Sequence, residues 1–139
     1  MVDAERIAGL LQRLRGEVTY LQTRADADRA ALRADEERLS GVKYRFVTAL
    51  ETVVNIAQHL CASEGWGPPA SNADSVRQLA RHRVLDGGLA DRVASAVGFR
   101  NILVHQYDEV DDDKVVARLD DVADLESFVQ QTARWVATQ

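Results

Sequence analysis

Helical spacing of the apolar residues constrains this chain more than any other feature. Near the N-terminus, apolar side chains recur at steps of four and three residues, at Ile7, Leu11, Leu14, Val18 and Leu21. This is the spacing of one narrow helix face. Between residues 42 and 63, two apolar stripes lie side by side, and an arc this wide is buried on more than one side. The pattern predicts an N-terminal helix at about 3–24 and a central helix at about 42–63.

The segments on either side of the central helix carry weaker signals. Residues 25–40 are rich in alanine and charge, so helix propensity is high while apolar content is low. We expect a short exposed helix there, with a break near Ser40-Gly41. Glycine and proline cluster at 64–69, which predicts a loop.

The C-terminal half predicts three further helices. A short one ends at about Arg83, the next spans about 89–105, and the last is capped by an aspartate at 111–113 and runs to about Ala137. The chain is therefore predicted to be an all-α, up-down bundle of about five to six helices. Its 139 residues suit a single domain spanning 1–139.

Composition narrows the functional classes. A single cysteine, Cys61, excludes an intramolecular disulfide and favours a reducing compartment. No uncharged run approaches the roughly 18 residues that a membrane helix needs, and the charged first turns do not resemble a secretory signal. We therefore expect a cytoplasmic protein without a membrane partner. The net charge of -5 argues against unspecific coating of nucleic acid.

The charge is unevenly distributed along the chain. Residues 77–100 hold five arginines against two aspartates, a net of +3. Residues 105–126 hold nine acidic residues against Lys114 and Arg118, a net of -7. Adjacent basic and acidic segments fit a confined anionic substrate, but two solvated helix faces are the simpler explanation of charge alone.

One stretch, 98–107, concentrates reactive side chains and reads Gly-Phe-Arg-Asn-Ile-Leu-Val-His-Gln-Tyr. On a helix of roughly 100° per residue, Phe99, Ile102 and Leu103 fall together and are expected to face the core. The acidic run that follows lacks the ligand spacing and central glycine of a calcium-binding loop. We expect no metal and no cofactor, and read the acids at 108–113 as helix caps.

The opposite face of that helix combines Arg100, Asn101 and His105. Arginine grips phosphate oxygens in a fork, and histidine, which titrates near neutral pH, can take or give a proton. Asn101 lies four residues before His105 and is expected to touch it. One histidine cannot conveniently serve as both base and acid, so a two-fold dimer with opposed faces is predicted. A solvated helix face remains the simpler alternative for an isolated Arg-x4-His pattern.

The wider stretch resembles a known family. Arg100, His105 and Tyr107 match the R-x4-H-x-Y signature of HepT-like toxins, which belong to the HEPN-domain ribonucleases with their R-x4-6-H motif. Residues 44–60 are similar to the central helix of that family, and residues 98–111 are similar to its active-site segment. Together these segments are far more specific than the arginine and histidine alone.

The resemblance implies a HEPN-like helical homodimer with a composite, metal-independent ribonuclease cleft. Arg100 and His105 are the implied catalytic residues, and Asn101 occupies a polar position common in such sites. The implied substrate is RNA, with tRNA a known class in the family. The implied partner is an MntA-type nucleotidyltransferase antitoxin that adds AMP to Tyr107. Two alternatives stay open: a non-catalytic HEPN module that recruits substrate for or regulates a separate nucleotidyltransferase, and a simple oligomerisation bundle.

Overall fold

The computed structural model describes residues 2–106 and 110–139, and within them the chain is helical with no strand. The elements are α1 (Ala4–Ala25), α2 (Arg29–Ala34), α3 (Glu36–Ser63), α4 (Asn72–Arg81), α5 (Gly87–His105), α6 (Asp112–Ala117), a 3-10 helix (Arg118–Asp121) and α7 (Val122–Ala137). The predicted all-α class is confirmed. None of the helices in the described ranges is both long enough and apolar enough to cross a membrane.

Helix α3 is the centre of the bundle, as its wide apolar arc predicts. It packs against α1, α4 and α5, while α1 also packs against α7. The α1 seam is buried along its whole length, from Ile7 to Leu21. Most of the apolar residues of both predicted patterns are buried. Full burial of one such aliphatic side chain contributes about 1.5–3 kcal/mol.

The predicted break near Ser40-Gly41 is wrong, because α3 runs through both residues. The break lies at Asp35, whose carboxylate accepts a hydrogen bond from the backbone N–H of Arg38 at 3.1 Å and caps α3. Gly41 instead permits close packing against α1. A Cβ atom added there would lie 2.7 Å from the hydroxyl oxygen of Tyr20.

The C-terminal region also differs from the single predicted helix. Asp111 caps α6 by accepting from the N–H of Asp113 at 2.9 Å, and a 3-10 segment then separates α6 from α7. This division raises the described α-helices to seven, against the five to six expected, whereas α2 lies in the segment where a short exposed helix was predicted. The acidic segment is partly neutralised by ion pairs, including Arg33–Asp113 at 2.8 Å, Lys43–Asp112 at 2.7 Å and Arg29–Asp120 at 2.8 Å.

Candidate active site

Helix α5 carries the predicted site residues and is fixed to the bundle at both ends. At its start, Asp86 and Gln131 of α7 exchange two hydrogen bonds of 2.9 Å. Near its end, Phe99 and Leu103 are only 6% and 2% exposed. The Phe99 ring meets Phe46 of α3 edge-on, with ring centroids 6.2 Å apart. The C-terminal end of α5 is thus held against the central helix.

Ile102 departs from the predicted arrangement. It is 43% exposed, and neighbouring Val104 is 42% exposed. At this end of α5 the surrounding helices cover only the stripe of Phe99 and Leu103, so the third apolar residue stays outside the core. The end of α5 therefore presents two apolar side chains to solvent, next to the polar residues of the motif.

Arg100 is held by two side-chain partners. Its Nη2 donates to Oε1 of Glu51 at 2.8 Å, and its Nη1 donates to Oδ1 of Asn101 at 3.0 Å. The arginine side chain is 20% exposed. A guanidinium carries five N–H donors, so donors remain for an anion after both bonds are made. Asn101 therefore orients Arg100, and its expected contact with His105 is absent from the hydrogen bonds of the described residues.

Glu51 is the site residue that the sequence reasoning missed. It lies in α3, 49 positions before Arg100, and forms part of the segment that resembles the family's central helix. The available signal was weak: Glu51 is a carboxylate that directly follows a run of buried residues in α3, whose buried positions are mostly apolar. The Glu51 side chain is 45% exposed and orients the guanidinium through one ion pair. An oriented donor array stabilises developing charge better than a mobile one.

A polar groove of about 240 Å³ adjoins Arg100. Its lining consists of Glu51, Val54, Asn55, Gln58, Asn72 and Arg100. The walls are braced, since Nε2 of Gln58 donates to Oδ1 of Asn72 at 3.0 Å. Amide groups beside a guanidinium can hydrogen-bond both phosphate oxygens and base edges. The groove therefore has the chemistry to hold one nucleotide next to the arginine.

His105 is the last residue of α5 and is exposed. On an ideal helix it lies roughly 140° around the axis and 7.5 Å along the axis from Arg100. Its imidazole forms no hydrogen bond to another residue in the described ranges. The structure thus joins Arg100 to Asn101 and Glu51, but does not join His105 to them. Tyr107 lies outside the described residues. Among residues 2–106 and 110–139, no group of three or more His, Cys, Asp or Glu is arranged to hold a metal ion.

An all-helical bundle with this arginine–histidine segment at the end of a packed helix matches a known class. The profile of the ribonuclease HepT-like family matches residues 5–132. The chain belongs to this family, which confirms the resemblance inferred from the motif.

Individual relatives support the same assignment. The chain is 35% identical over 80 residues to an mRNA nuclease HepT of Shewanella oneidensis, covering 57% of this chain and 60% of that protein. It is 29% identical over 65 residues to a tRNA nuclease HepT of Aphanizomenon flos-aquae, covering 47% and 44%. The matched stretches thus span less than two thirds of either relative.

The fold is also similar to that of a tri-AMPylated Shewanella oneidensis HEPN toxin in complex with an MNT antitoxin. The TM-score is 0.81 at 26% sequence identity, with 94% of this chain and 97% of that chain covered. The similarity extends over nearly the whole bundle, so the α3–α5 framework around Arg100 is part of the shared fold.

Proposed function

We propose that this protein is the toxin of a toxin–antitoxin pair and acts as a metal-independent endoribonuclease through Arg100 and His105. The observation that carries this proposal is the braced arginine: Glu51 and Asn101 hold its guanidinium at 2.8 and 3.0 Å beside a polar groove. A histidine lies at the exposed end of the same helix. Membership of the ribonuclease HepT-like family supports the assignment.

The proposed chemistry is an internal transfer at one phosphodiester. A His105 imidazole takes the proton of the ribose 2′-hydroxyl, and the 2′-oxygen forms a new bond to phosphorus. The bond from phosphorus to the 5′-oxygen breaks, and that oxygen leaves with a proton from an imidazolium. Arg100 faces the extra negative charge that builds on the phosphate oxygens. The products are a 2′,3′-cyclic phosphate and a 5′-hydroxyl.

We further propose that the active unit is a homodimer. Within one protomer, His105 forms no hydrogen bond to Arg100, and base and acid are needed on opposite sides of the phosphate. A two-fold partner supplies a second Arg100 and His105 to one cleft. Ile102 and Val104, exposed beside the motif, give this helix end an apolar surface that a second copy can cover.

The regulatory partner in this proposal is an MntA-type nucleotidyltransferase that adds AMP to Tyr107. The support is similarity to a tri-AMPylated HEPN toxin held by its MNT antitoxin. Phosphate-bearing groups two positions after His105 would fill the cleft and repel the RNA backbone. The substrate is RNA, with tRNA and mRNA both consistent with the names of the relatives. Residues 1–139 form one HepT-like domain that acts in the cytoplasm.

The nuclease proposal is tested by incubating total RNA with the protein in EDTA. Wild type is expected to cut, whereas Arg100→Ala and His105→Ala are expected to leave RNA intact. Arg92→Ala is a matched control, because Arg92 lies on the same helix and pairs with Asp124 at 3.1 Å away from the groove. Intact RNA with wild type, or equal cutting by both mutants, would favour the non-catalytic HEPN module instead.

The partner proposal has its own test. Co-expression with a neighbouring nucleotidyltransferase is expected to add mass in steps of one AMP, and Tyr107→Phe is expected to abolish the shift. An unchanged mass, or a shift that survives the substitution, removes Tyr107 as the target.

A further inference from the structure

A second polar groove lies at the opposite end of α5, between the α4–α5 connection and the C-terminal part of α7. Its volume is about 420 Å³. Two arginines line it, Arg83 from the connection and Arg134 from α7, together with Trp135, Asp86 and Gln131. This groove shares no lining residue with the Arg100 groove, and the nuclease chemistry does not use it.

The two arginines of this groove lack acidic partners. Neither Arg83 nor Arg134 forms an ion pair in the part of the chain that the structure describes, although nearby arginines do, such as Arg77 with Asp91 at 3.5 Å. Asp86, the acid in the groove, accepts a hydrogen bond from Nε2 of Gln131 at 2.9 Å. The groove therefore carries a net charge of +1 with both guanidiniums available, in a chain whose net charge is -5.

Arg83 occupies a backbone position that favours glycine. Its φ is 63°, in the left-handed region. The N–H of Val84 donates to the carbonyl of Leu79 at 2.8 Å, and the N–H of Arg83 donates to the carbonyl of Ala80 at 3.0 Å. These two bonds form the Schellman motif that ends α4, where glycine usually takes the left-handed place. An arginine there destabilises the fold locally, and such outliers concentrate at functional sites.

Aromatic rings form the adjoining wall. Trp135 contacts Trp66 edge-to-face, with ring centroids 6.0 Å apart. Trp66 in turn stacks on the exposed ring of His82, at 4.1 Å and with the ring planes only 2° apart. Both tryptophans pack partly against the core, so Trp135 presents a rigid, half-buried surface to the groove.

We infer that this groove is a second contact site for single-stranded RNA, with phosphates on Arg83 and Arg134 and a base against Trp135. Guanidiniums beside an aromatic surface are the combination that binds single strands, since every base has a face that can stack. Arg100 lies 14 residues after Asp86, about 21 Å along an ideal helix. The groove therefore holds a flank of the strand, away from the bond that is cut. The inference rests on the proposed RNA substrate, but not on cleavage.

The test uses a probe that cannot be cut. A fluorescein-labelled 2′-O-methyl oligoribonucleotide of roughly 12 nucleotides covers a site of this kind, and its capped 2′-oxygens prevent internal transfer. The variant Arg83→Gln/Arg134→Gln is expected to bind it about tenfold more weakly than wild type at physiological salt. The slope of log affinity against log salt is expected to become shallower by about 0.7 for each phosphate that no longer binds an arginine. Arg38→Gln is the matched control, since Arg38 is also exposed but lies outside the groove.

Substitution of Arg83 by glycine separates binding from folding. Because glycine suits the left-handed position, Arg83→Gly is expected to raise the Tm by roughly 3 °C while weakening oligonucleotide binding as Arg83→Gln does. In a Trp66→Phe background, Trp135 is the remaining tryptophan, and the oligonucleotide is expected to quench its fluorescence. If Arg83 and Trp135 had only a structural role, Arg83→Gly would not combine a higher Tm with weaker binding. The oligonucleotide would also not quench the fluorescence of Trp135.

Two results would overturn the inference. One is oligonucleotide binding by Arg83→Gln/Arg134→Gln with the affinity and salt slope of wild type or of Arg38→Gln. The other is no oligonucleotide binding by wild type at all, in which case an acidic protein surface becomes the better candidate for the groove. If wild type binds through the groove but leaves RNA uncut, the inference stands and the nuclease proposal fails.

Discussion

The two ends of α5 present arginines in opposite settings. At the C-terminal end, Arg100 is 20% exposed and is bonded to Glu51 at 2.8 Å. At the N-terminal end, Arg83 and Arg134 are exposed and have no acidic partner among the described residues. Both ends adjoin grooves of a few hundred Å³. Arginine is thus held by an acidic partner at one end of α5 and has no acidic partner at the other end.

The difference matches the two roles proposed for these sites. Charge that develops in a transition state is stabilised by donors held in place beforehand, and small misplacements cost rate. Attraction of a phosphate backbone depends mainly on the number of cationic contacts and tolerates mobile side chains. A braced arginine therefore fits catalysis, and two unpaired arginines beside a tryptophan fit affinity.

The largest effect is expected from the acid–base group. His105→Ala should lower the cleavage rate by about 10²- to 10⁴-fold, the range typical of general acid–base catalysis. The adjacent exposed residue provides the control, since Gln106→Ala should cut at nearly the wild-type rate. Single-turnover cleavage of a labelled RNA measures both. Equal rates for the two variants would remove His105 from the chemistry.

A smaller loss is expected when the brace on Arg100 is neutralised. Glu51→Gln keeps the shape of the side chain but weakens its hold on the guanidinium, so the cleavage rate should fall on the order of 10- to 100-fold. Oligonucleotide affinity should change little. Glu37→Gln, on the exposed first turn of α3, removes the same charge away from the groove. A rate loss matched by Glu37→Gln would show that net charge matters and positioning does not.

Removal of the exposed apolar pair should weaken the proposed dimer. Ile102→Ser and Val104→Ser each take buried apolar area out of the interface, and each should raise the dimer dissociation constant on the order of tenfold. Sedimentation equilibrium measures this shift. Raising the protein concentration should restore cleavage by the variants through mass action. A monomeric wild type that cuts at full rate would contradict the shared cleft.

The smallest effect concerns α4, which leads into the Arg83 groove. The hydrogen bond from the N–H of Ala70, at 2.9 Å, lowers the pKa of Asp74, and the bond from Arg81 acts in the same direction. A lowered folded pKa stabilises the protein above the unfolded pKa of about 3.9, and this contribution is lost as the pH falls through the folded value. Asp74→Asn should therefore lower the Tm at neutral pH.

The difference in Tm between wild type and Asp74→Asn should close as the pH falls below about 4. Thermal unfolding followed by circular dichroism at several pH values measures this closure. Asp91→Asn is the control, because Asp91 is exposed and pairs with Arg77 only at 3.5 Å. A gap for Asp74→Asn that is constant with pH would mean that the carboxylate charge is not the stabilising element.

Periodicity alone was enough to predict the main helices. The α1 seam and the wide arc of α3 are local patterns, and burial follows them residue by residue. The position of the break before α3 could not be predicted in the same way. Glycine at 41 is a helix breaker by propensity, but here it serves the approach of Tyr20 from another helix. That contact is tertiary, and spacing within one segment does not contain it.

In the candidate site, too, residues close together in the sequence could be predicted, and residues that meet through tertiary packing could not. Arg100, Asn101 and His105 lie within six positions and were found from their spacing and family resemblance. Glu51 was not, since it meets Arg100 across 49 positions. Arg83 of the α4–α5 connection and Arg134 of α7 line one groove only through tertiary packing. Ile102 was predicted to be buried because it shares a helix face with Phe99 and Leu103. The spacing within one helix does not show how far the neighbouring helices extend along it.

The most direct test compares variants at the two ends of α5 in one experiment. The cleavage rate of a labelled RNA and the affinity for its uncleavable 2′-O-methyl form are measured for Arg100→Ala and for Arg83→Gln/Arg134→Gln. Arg100→Ala is expected to lose cleavage by about 10³-fold and to keep most of its affinity, whereas the double variant is expected to lose affinity and to cut bound RNA at the wild-type rate. Cleavage by Arg100→Ala at the wild-type rate would contradict the assignment of the active site.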